Sequence, residues 1–363
     1  CLQVLLVSDT ISDTARIPDP VEVVSVIAIQ RGNTDPDRHV MMSGDIDSRV
    51  SDIMNATEDA PGANDNASGM AGVLEAARVL TQYEFDGSIV YAGLSGEEQG
   101  LFGGAIVAEY ARENGWKLDA VLNNDMIGNI HGINGVINNT SARVFSEGTR
   151  AVETEDEARQ RRFQGGEVDS ASRNLSRYID RLADQYIPNL DTMMIYRLDR
   201  FGRGGHHRPF NDAGYPAVRI METNEHYHWQ HQDVREEEGI AYGDVIEHVD
   251  FDYAAKLTAL NAVTLASLAW APAPPADVTI SGQVSPDTTL EWEKVSGATG
   301  YRLHWRLTTN PQWNWSRDVG DVDEFTLENV VIDNYFFGVS SLSPEGIQSP
   351  VVFQGPAGAF PAP

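Results

Sequence analysis

The stretch SIVYAGLSGEEQG, residues 88–100, joins an apolar run to a pair of glutamates flanked by glycines. The run SIVYAGL is typical of a buried strand. Two further acidic motifs lie near apolar runs, PGANDNASG at residues 61–69 and NNDMIG at residues 123–128. Because the carboxyl ends of parallel strands meet at one edge of a sheet, we expect these carboxylates to converge there, where metal ions are bound.

Strand-like and helix-like patterns alternate along the first three quarters of the chain. The predicted strands are residues 21–30, 40–43, 88–94, 118–123, 192–198 and 216–221, and the predicted helices are residues 68–83, 101–114, 171–186 and 251–270. This alternation predicts an α/β fold with a mixed, mostly parallel sheet flanked by helices. Residues 160–166 are interpreted as an exposed loop, and His39 as a surface residue.

The composition changes at APAPPAD, residues 271–277, which is typical of a semi-rigid linker. Six short β-runs follow, at residues 278–280, 289–293, 300–307, 324–327, 334–342 and 351–353. They predict a small all-β sandwich over residues 278–363, behind a larger domain at residues 1–270. LEWEKVSGATGYRLHWR and YFFGVSSLSPEGIQSP resemble a fibronectin type III domain, with Trp292 in its core and Tyr335 as a tyrosine corner.

Charge and apolar patterning exclude several classes of partner. The formal net charge is −28, from 54 acidic and 26 basic residues, so a nucleic-acid partner is not expected. No apolar run of about 18 residues is present, which predicts no membrane span. The only cysteine is Cys1, so no internal disulfide is expected. Since position 1 is not Met, we interpret the chain as a mature or truncated product of a secreted or periplasmic protein, with a lipidated Cys1 as the alternative to truncation.

The acidic motifs place carboxylates where they suit metal binding and proton transfer. In a turn after a strand, one of Glu97 and Glu98 can bind a metal while the other stays free as a base; a bare Glu-Glu pair, however, is more often a solvated surface. Asp65 has a structural alternative as the cap of the helix that follows it. Asp125, at the end of a strand, would be costly without a partner. Three such motifs in order favour a metal site over these alternatives.

The three motifs, followed by a late histidine motif, resemble the zinc aminopeptidases of peptidase family M28, over roughly residues 21–271. The resemblance implies that Asp65 bridges two Zn²⁺ ions, that Glu98 and Asp125 bind one ion each, and that Glu97 is the general base. The implied reaction releases N-terminal residues from peptides with a free N-terminus, by attack of a water that the metal ions activate.

The first ligand departs from the family pattern. The family carries a histidine in Gly-His-x-Asp-Ser, whereas this chain has GDIDS at residues 44–48, which puts Asp45 at the histidine position. Aspartate is also a zinc ligand. Since it is a harder ligand than imidazole, we expect zinc with Mn²⁺ or Co²⁺ as alternatives. Asp47 matches the aspartate that orients this ligand in the family.

The last ligand lies in HYHWQHQD, residues 226–233, which holds three histidines. His231 is the first choice, His228 is the second, and His226 stays open. The histidines that bind no metal are expected to pack or to contact substrate, and Tyr227 is a candidate donor to the oxyanion.

A second histidine pair occurs in GRGGHHRPF, residues 202–210, where relatives carry Ser-Asp-His-x-Pro-Phe. His207 matches the family histidine and is expected to line the substrate pocket, while His206 replaces the aspartate. The Asp45 departure leaves an inactive, peptide-binding protein as an alternative. Carboxypeptidase or glutaminyl-cyclase chemistry on the same scaffold is another.

Overall fold

The computed structural model describes residues 2–360, so Cys1 and the expectations attached to it lie outside the described residues. The strands, numbered along the chain, are β1 Gln3–Ile11, β2 Val21–Gln30, β3 Asp35–Asp45, β4 Gly87–Leu94, β5 Lys117–Asn124, β6 Ser141–Ser146, β7 Asp191–Ile195, β8 Ala217–Glu222, β9 Arg235–Glu237, β10 Ile240–Tyr242, β11 Ala276–Ser281, β12 Thr288–Glu293, β13 Gly300–Leu307, β14 Trp315–Gly320, β15 Glu324–Leu327, β16 Tyr335–Leu342 and β17 Val352–Phe353. The α-helices are α1 Ala67–Leu80, α2 Glu97–Gly100, α3 Phe102–Glu113, α4 Glu155–Gln164, α5 Ala171–Tyr186, α6 His207–Asp212 and α7 Phe251–Trp270.

An eight-stranded mixed sheet organises the larger part of the chain, in the order β1-β2-β4-β3-β5-β8-β6-β7. The pairs β3–β4, β3–β5, β5–β8 and β6–β7 are parallel, and the other three are antiparallel. Helices α1, α5 and α7 pack on one face, and α3 and α6 pack on the other. The predicted α/β fold with a mixed, helix-flanked sheet is therefore confirmed.

The register of the central strands decides where the site lies. Asp45 pairs with Leu94 across β3 and β4, and Ser43 pairs with Asn123 across β3 and β5. The carboxyl ends of three neighbouring strands therefore lie side by side. Side chains alternate along each strand, so Met41 is buried on one face of the sheet and Met42 on the other. The apolar cores thus occupy the two faces, and the acidic residues lie at the strand ends.

The C-terminal residues form two antiparallel sheets, β11-β12-β15 and β14-β13-β16-β17, around a shared apolar core. Trp292 lies in that core with 4% of its surface exposed. The tyrosine hydroxyl that accepts a backbone N–H is that of Tyr301, from Val295 at 2.8 Å, and not that of Tyr335, which packs edge-on against Trp315. The assignment to a fibronectin type III domain stays a prediction.

The two parts of the chain are tightly joined. Asp169, which is fully buried, accepts hydrogen bonds from Arg177 on α5 and from Arg306 on β13. The Tyr178 hydroxyl also donates to the Gln348 carbonyl at 2.8 Å. The linker at residues 271–277 is also bound to the C-terminal sheets, because the Ser341 hydroxyl on β16 donates to the carbonyl of Ala273 at 2.7 Å.

Several local expectations fail. Residues 160–164, read as loop, end helix α4, which is started by a capping box between Thr154 and Glu157. His39, read as surface, lies within β3 with 6% of its surface exposed and stacks on Trp116 at 4.5 Å. Strands β1, β6 and β14 were not predicted. β1 and β14 are mostly exposed and are held in their sheets by pairing with neighbouring strands, and β6 is only six residues long. Among residues 2–360, no helix has the length and apolar character needed to cross a bilayer.

Candidate metal centre

Three side chains meet at the carboxyl edge of the sheet. Nε2 of His231 lies 2.9 Å from Oδ2 of Asp65 and 2.8 Å from Oε1 of Glu98. One ligand atom of each residue falls within 4.8 Å of the other two. Zinc binds both carboxylate oxygen and imidazole nitrogen, so these residues fit a zinc ion. Of the three candidate histidines, the structure therefore brings His231 to the site.

Asp65 is held in place by its backbone and by its neighbours. Its N–H donates to Oδ2 of Asp244 at 2.7 Å, and its own Oδ2 accepts from the Gln230 side chain at 3.2 Å. Burial raises the pKa of Asp65, but the hydrogen bond and charge of His231 outweigh burial and hold that pKa below its usual range. Burial lowers the pKa of His231, and its bonds to Asp65 and Glu98 reverse this and raise it to about 9. The two carboxylates therefore stabilise a proton on His231, which a metal ion would have to displace.

Helix α2 presents the glutamate pair. Gly96 before it has φ of 71°, in the left-handed region that favours glycine. The carboxylate of Asp47 accepts the backbone N–H groups of Glu97 and Glu98, each at 3.2 Å. Asp47 was expected to orient Asp45, but within residues 2–360 no hydrogen bond joins the two carboxyl groups. Asp47 instead orients the turn that carries the glutamates.

Glu97 lies beside the three-residue group without belonging to it. Burial raises the pKa of the Glu97 carboxyl well above its usual range, and the negative charges of Asp125 and Asp45 raise it further. A carboxyl in this setting takes up a proton readily, which is what a general base must do. A bound cation would lower this pKa, since it would neutralise the neighbouring acids.

Asp45 lies at the end of β3 in a fully enclosed polar pocket. Its Oδ2 accepts from the Asn66 side chain at 2.7 Å, and its Oδ1 contacts Nδ1 of His206. Burial is the main cause that raises the pKa of Asp45, and it also lowers the pKa of His206 to about 4. Internal donors therefore set the orientation of Asp45, which among the described residues lies outside the Asp65, Glu98 and His231 group.

Asp125, after β5, is paired with a buried arginine. Nη2 of Arg219, on β8, lies 2.7 Å from Oδ2 of Asp125, and Nη1 of the same side chain lies 3.2 Å from Oδ2 of Asp199. Burial raises the pKa of Asp125 to about 8, although the charge of Arg219 opposes this. Asp125 thus lies next to a fixed positive charge and outside the Asp65, Glu98 and His231 group.

Arg219 and Asp199 were not among the predicted site residues. The sequence carried one signal for them, an arginine inside the apolar strand PAVRIM, because a buried arginine requires carboxylate partners. Asp244 and Asn66 carried no such signal. Their roles depend on side-chain contacts between distant segments.

The other predicted site residues lie elsewhere. His207 is fully buried, and its Nε2–H donates to the carbonyl of Leu198 at 2.8 Å. It therefore stabilises the segment that contains Leu198 and does not line the cavity. Tyr227 is 57% exposed, outside the cavity wall. His228 packs on the Tyr242 ring at 4.7 Å, and His226 stacks on Trp229 at 3.7 Å.

A cavity of about 1090 Å³ opens at this site. Its wall includes Asp65, Glu97, Glu98, Asp125 and His231. The volume is that of a peptide-sized ligand. The arrangement can therefore present a peptide carbonyl to a cation-binding group and to a nearby carboxyl base.

Comparison with known proteins agrees with this geometry. A model described as peptidase family M28 matches residues 25–250. A protein of Leptosphaeria maculans named a probable zinc metalloprotease is 42% identical over 345 residues, which are 94% of this chain and 80% of that protein. A probable zinc metalloprotease of Pyricularia oryzae is 41% identical over 351 residues, which are 94% of this chain and 70% of that protein.

A solved structure is similar in fold. LapA of Legionella pneumophila superposes with a TM-score of 0.51 at 20% identity, over 74% of this chain and 60% of that one. At that identity, the likeness concerns the fold alone. The family model and the fungal relatives carry the assignment, and the chain belongs to peptidase family M28.

Proposed function

We propose that this chain is a zinc-dependent exopeptidase that removes N-terminal residues from peptides. The observation that carries the proposal is the position of Glu97, half-buried on the wall of the cavity and beside the Asp65, Glu98 and His231 group. The names of the fungal relatives support zinc and peptide-bond hydrolysis. The aminopeptidase direction rests on the resemblance of the motifs.

Glu97 and the zinc ion have separate tasks in this proposal. Asp65, Glu98 and His231 would hold a zinc ion, which when bound would lower the pKa of a water molecule and polarise the scissile carbonyl. The Glu97 carboxylate accepts a proton from the attacking water at a side-chain oxygen. The same oxygen then delivers the proton to the leaving nitrogen, which completes hydrolysis.

The test is Glu97→Gln. Loss of the base is expected to lower kcat by about 10²- to 10⁴-fold, while the zinc content stays the same because Glu97 is not in the ligand group. The matched control is Glu113→Gln, an exposed glutamate on α3, which is expected to keep full activity. Retained turnover in Glu97→Gln would contradict the base assignment. A zinc-replete protein without activity on any peptide would favour the inactive, peptide-binding alternative.

We further propose that two ions bind with unequal affinity. Asp65, Glu98 and His231 form the stronger site, since they already lie within coordinating distance of one another. The second site would share Asp65 and use Asp45 and Asp125. It lacks an imidazole, and the charge of Arg219 lies 2.7 Å from Asp125. Nearby positive charge weakens cation binding, so this ion should load second.

Calorimetric titration of the metal-free protein with Zn²⁺ tests the unequal sites. Two steps are expected, and Asp45→Asn is expected to weaken only the second, whereas His231→Ala removes the first. A single step of one ion per chain would refute the two-ion proposal, and two equal sites would refute the unequal affinities.

We also propose a secreted or periplasmic location and a peptide with a free N-terminus as substrate. Peptides blocked by N-acetylation separate the possible reactions, because an aminopeptidase requires the free amine and a carboxypeptidase does not. Cleavage of the acetylated peptide from its C-terminal end would overturn the aminopeptidase direction.

A further inference from the structure

The wall of the catalytic cavity is rich in arginine. The chain carries a formal charge of −28, with 26 basic residues against 54 acidic ones. Six arginines nevertheless line this one cavity: Arg16, Arg49, Arg112, Arg200, Arg203 and Arg208. The same wall carries six carboxylates, which include candidate metal ligands and the candidate base Glu97: Asp65, Glu97, Glu98, Glu109, Asp125 and Asp212. A bound divalent cation would therefore make the cavity positive in an otherwise acidic protein.

Half of these arginines already have carboxylate partners. Arg200 and Arg203 share Glu225, at 3.2 and 2.6 Å. Arg112 pairs with Glu109 on the exposed surface of α3. Their charges are largely neutralised where they are, so they add little to ligand binding.

The other three arginines, Arg16, Arg49 and Arg208, still have guanidinium N–H groups that can bind a ligand. Among the described residues, no carboxylate lies within 4 Å of the Arg16 or Arg208 guanidinium, and Arg49 reaches only Glu98, at 3.8 Å. Arg16 is exposed, and its Nη1 donates to the backbone carbonyl of Glu98 at 2.6 Å, which leaves its other N–H groups for a ligand. Nε of Arg49 and Nε of Arg208 are buried and have no hydrogen-bond partner within residues 2–360. Arg208 lies over Gly204 and near Leu101, directly after the helix that carries Glu97.

Arg49 and Arg208 are half-buried, and a buried guanidinium N–H without a hydrogen-bond partner is unfavourable unless a ligand satisfies it. A carboxylate satisfies them best, since its two oxygens match the two parallel N–H groups of an arginine. Water alone would leave the positive charges uncompensated. The overall charge of −28 would repel an acidic peptide at long range, so a local positive subsite is what such a substrate would require.

We propose that Arg208, with Arg16 and Arg49, forms a carboxylate-binding subsite that makes acidic peptides the preferred substrates of this cavity. This inference rests on the proposed function. The carboxylate can come from an acidic side chain near the scissile bond or from the C-terminus of a short peptide. Both sources present the same group to the arginines.

Matched peptide pairs that differ in one carboxylate distinguish the sources. Glu-Ala-Ala-amide against Gln-Ala-Ala-amide tests the first side chain, Ala-Glu-Ala-amide against Ala-Gln-Ala-amide tests the second, and Ala-Ala against Ala-Ala-amide tests the C-terminus. In at least one pair, the carboxylate member is expected to have a kcat/KM about 10- to 100-fold higher, the range of a charge-assisted hydrogen bond. The preference should shrink in high salt.

Arg208→Gln is expected to reduce that preference to a few-fold, chiefly through KM, and Arg208→Lys should restore part of it. Arg162→Gln is the matched control, since Arg162 is exposed on α4 outside the cavity. Equal kcat/KM within all three pairs for the wild-type protein would overturn the proposal. So would an unchanged preference in a folded Arg208→Gln protein.

Binding to the zinc-loaded Glu97→Gln protein separates this inference from the proposed function. Tighter binding of the carboxylate peptides, measured by calorimetry, would support the subsite even if no peptide were hydrolysed. Turnover of the neutral peptides without any preference in binding would refute the subsite and leave the exopeptidase proposal standing.

Discussion

Replacing Asp169 by alanine should destabilise the whole chain severely. Asp169 is 0% exposed, and both of its oxygens lie 2.8 Å from Nη2 of Arg306. Nη1 of Arg177 reaches it from α5 at 3.0 Å. Both arginines are only 1% exposed. Burial lowers the pKa of Arg306, which indicates how completely its guanidinium is removed from water.

The magnitude follows from what remains after the substitution. In Asp169→Ala, Arg177 would still donate hydrogen bonds to the carbonyls of Pro311 and Val168. Arg306 would donate chiefly to the carbonyl of Asn310. Removing one partner of a buried ion pair costs about 3–5 kcal/mol, because a charge is left buried without compensation. Asp169→Asn retains an acceptor oxygen, so its cost should be smaller, about 1–3 kcal/mol.

Urea unfolding followed by tryptophan fluorescence measures these costs. The control is Asp156→Ala, because Asp156 forms an exposed ion pair with Arg159 at 2.8 Å. The side chain of Asp156 is 89% exposed and that of Arg159 is 75% exposed. That pair is worth less than about 1 kcal/mol. Asp169→Ala should also separate one transition into two, with the C-terminal sheets unfolding first. A loss no larger than that of Asp156→Ala would refute the reasoning.

Three further predictions concern pH, backbone approach and the core. Burial lowers the pKa of His304 to about 3, whereas the pKa of an unfolded histidine is about 6.5. The stability that His304 contributes is therefore present above pH 6.5 and falls as the pH drops towards 3. Between pH 7 and 4, the wild-type protein should lose about 2–3 kcal/mol more unfolding free energy than His304→Gln, measured by urea unfolding at each pH. Gly44→Ala should weaken zinc binding and stability, because the new methyl group would lie 2.9 Å from the backbone of Met70 on α1, and circular dichroism with zinc titration checks this. Leu122 is fully buried, so Leu122→Ala should lower the free energy of unfolding by about 2–5 kcal/mol in chemical unfolding. Leu74 is 65% exposed, so Leu74→Ala should lower it by under about 1 kcal/mol. Equal losses in the two variants would contradict the burial of Leu122.

The edge of the sheet was predictable because it depends on short-range patterns. An apolar run followed by a glycine and an acidic pair predicts a strand, a turn and a carboxylate at the strand end. The boundaries of β2, α5, α7 and β13 match the sequence-based ranges for the same reason. Two of the three acidic motifs therefore identified the ends of β4 and β5, whereas the third, at residues 61–69, lies in the turn that leads into α1.

The partners of those carboxylates were not predictable. His206 on Asp45, Arg219 on Asp125 and Asp244 beneath Asp65 come from segments more than 90 residues away. Asp47 acts on the glutamate turn rather than on Asp45, which depends on the backbone path of α2. Such contacts follow from how the elements pack and not from local spacing.

By itself, the sequence determined the mixed α/β fold, the acidic edge and the candidate base, because hydrophobic periodicity and strand-end motifs are local properties of the chain. Only the tertiary structure decided which histidine joins Asp65 and Glu98, since three candidates lie within six residues of one another and only the loop conformation brings His231 to the carboxylates. It also decided that arginines from distant segments share one cavity, because side chains remote in sequence become neighbours only when the core packs.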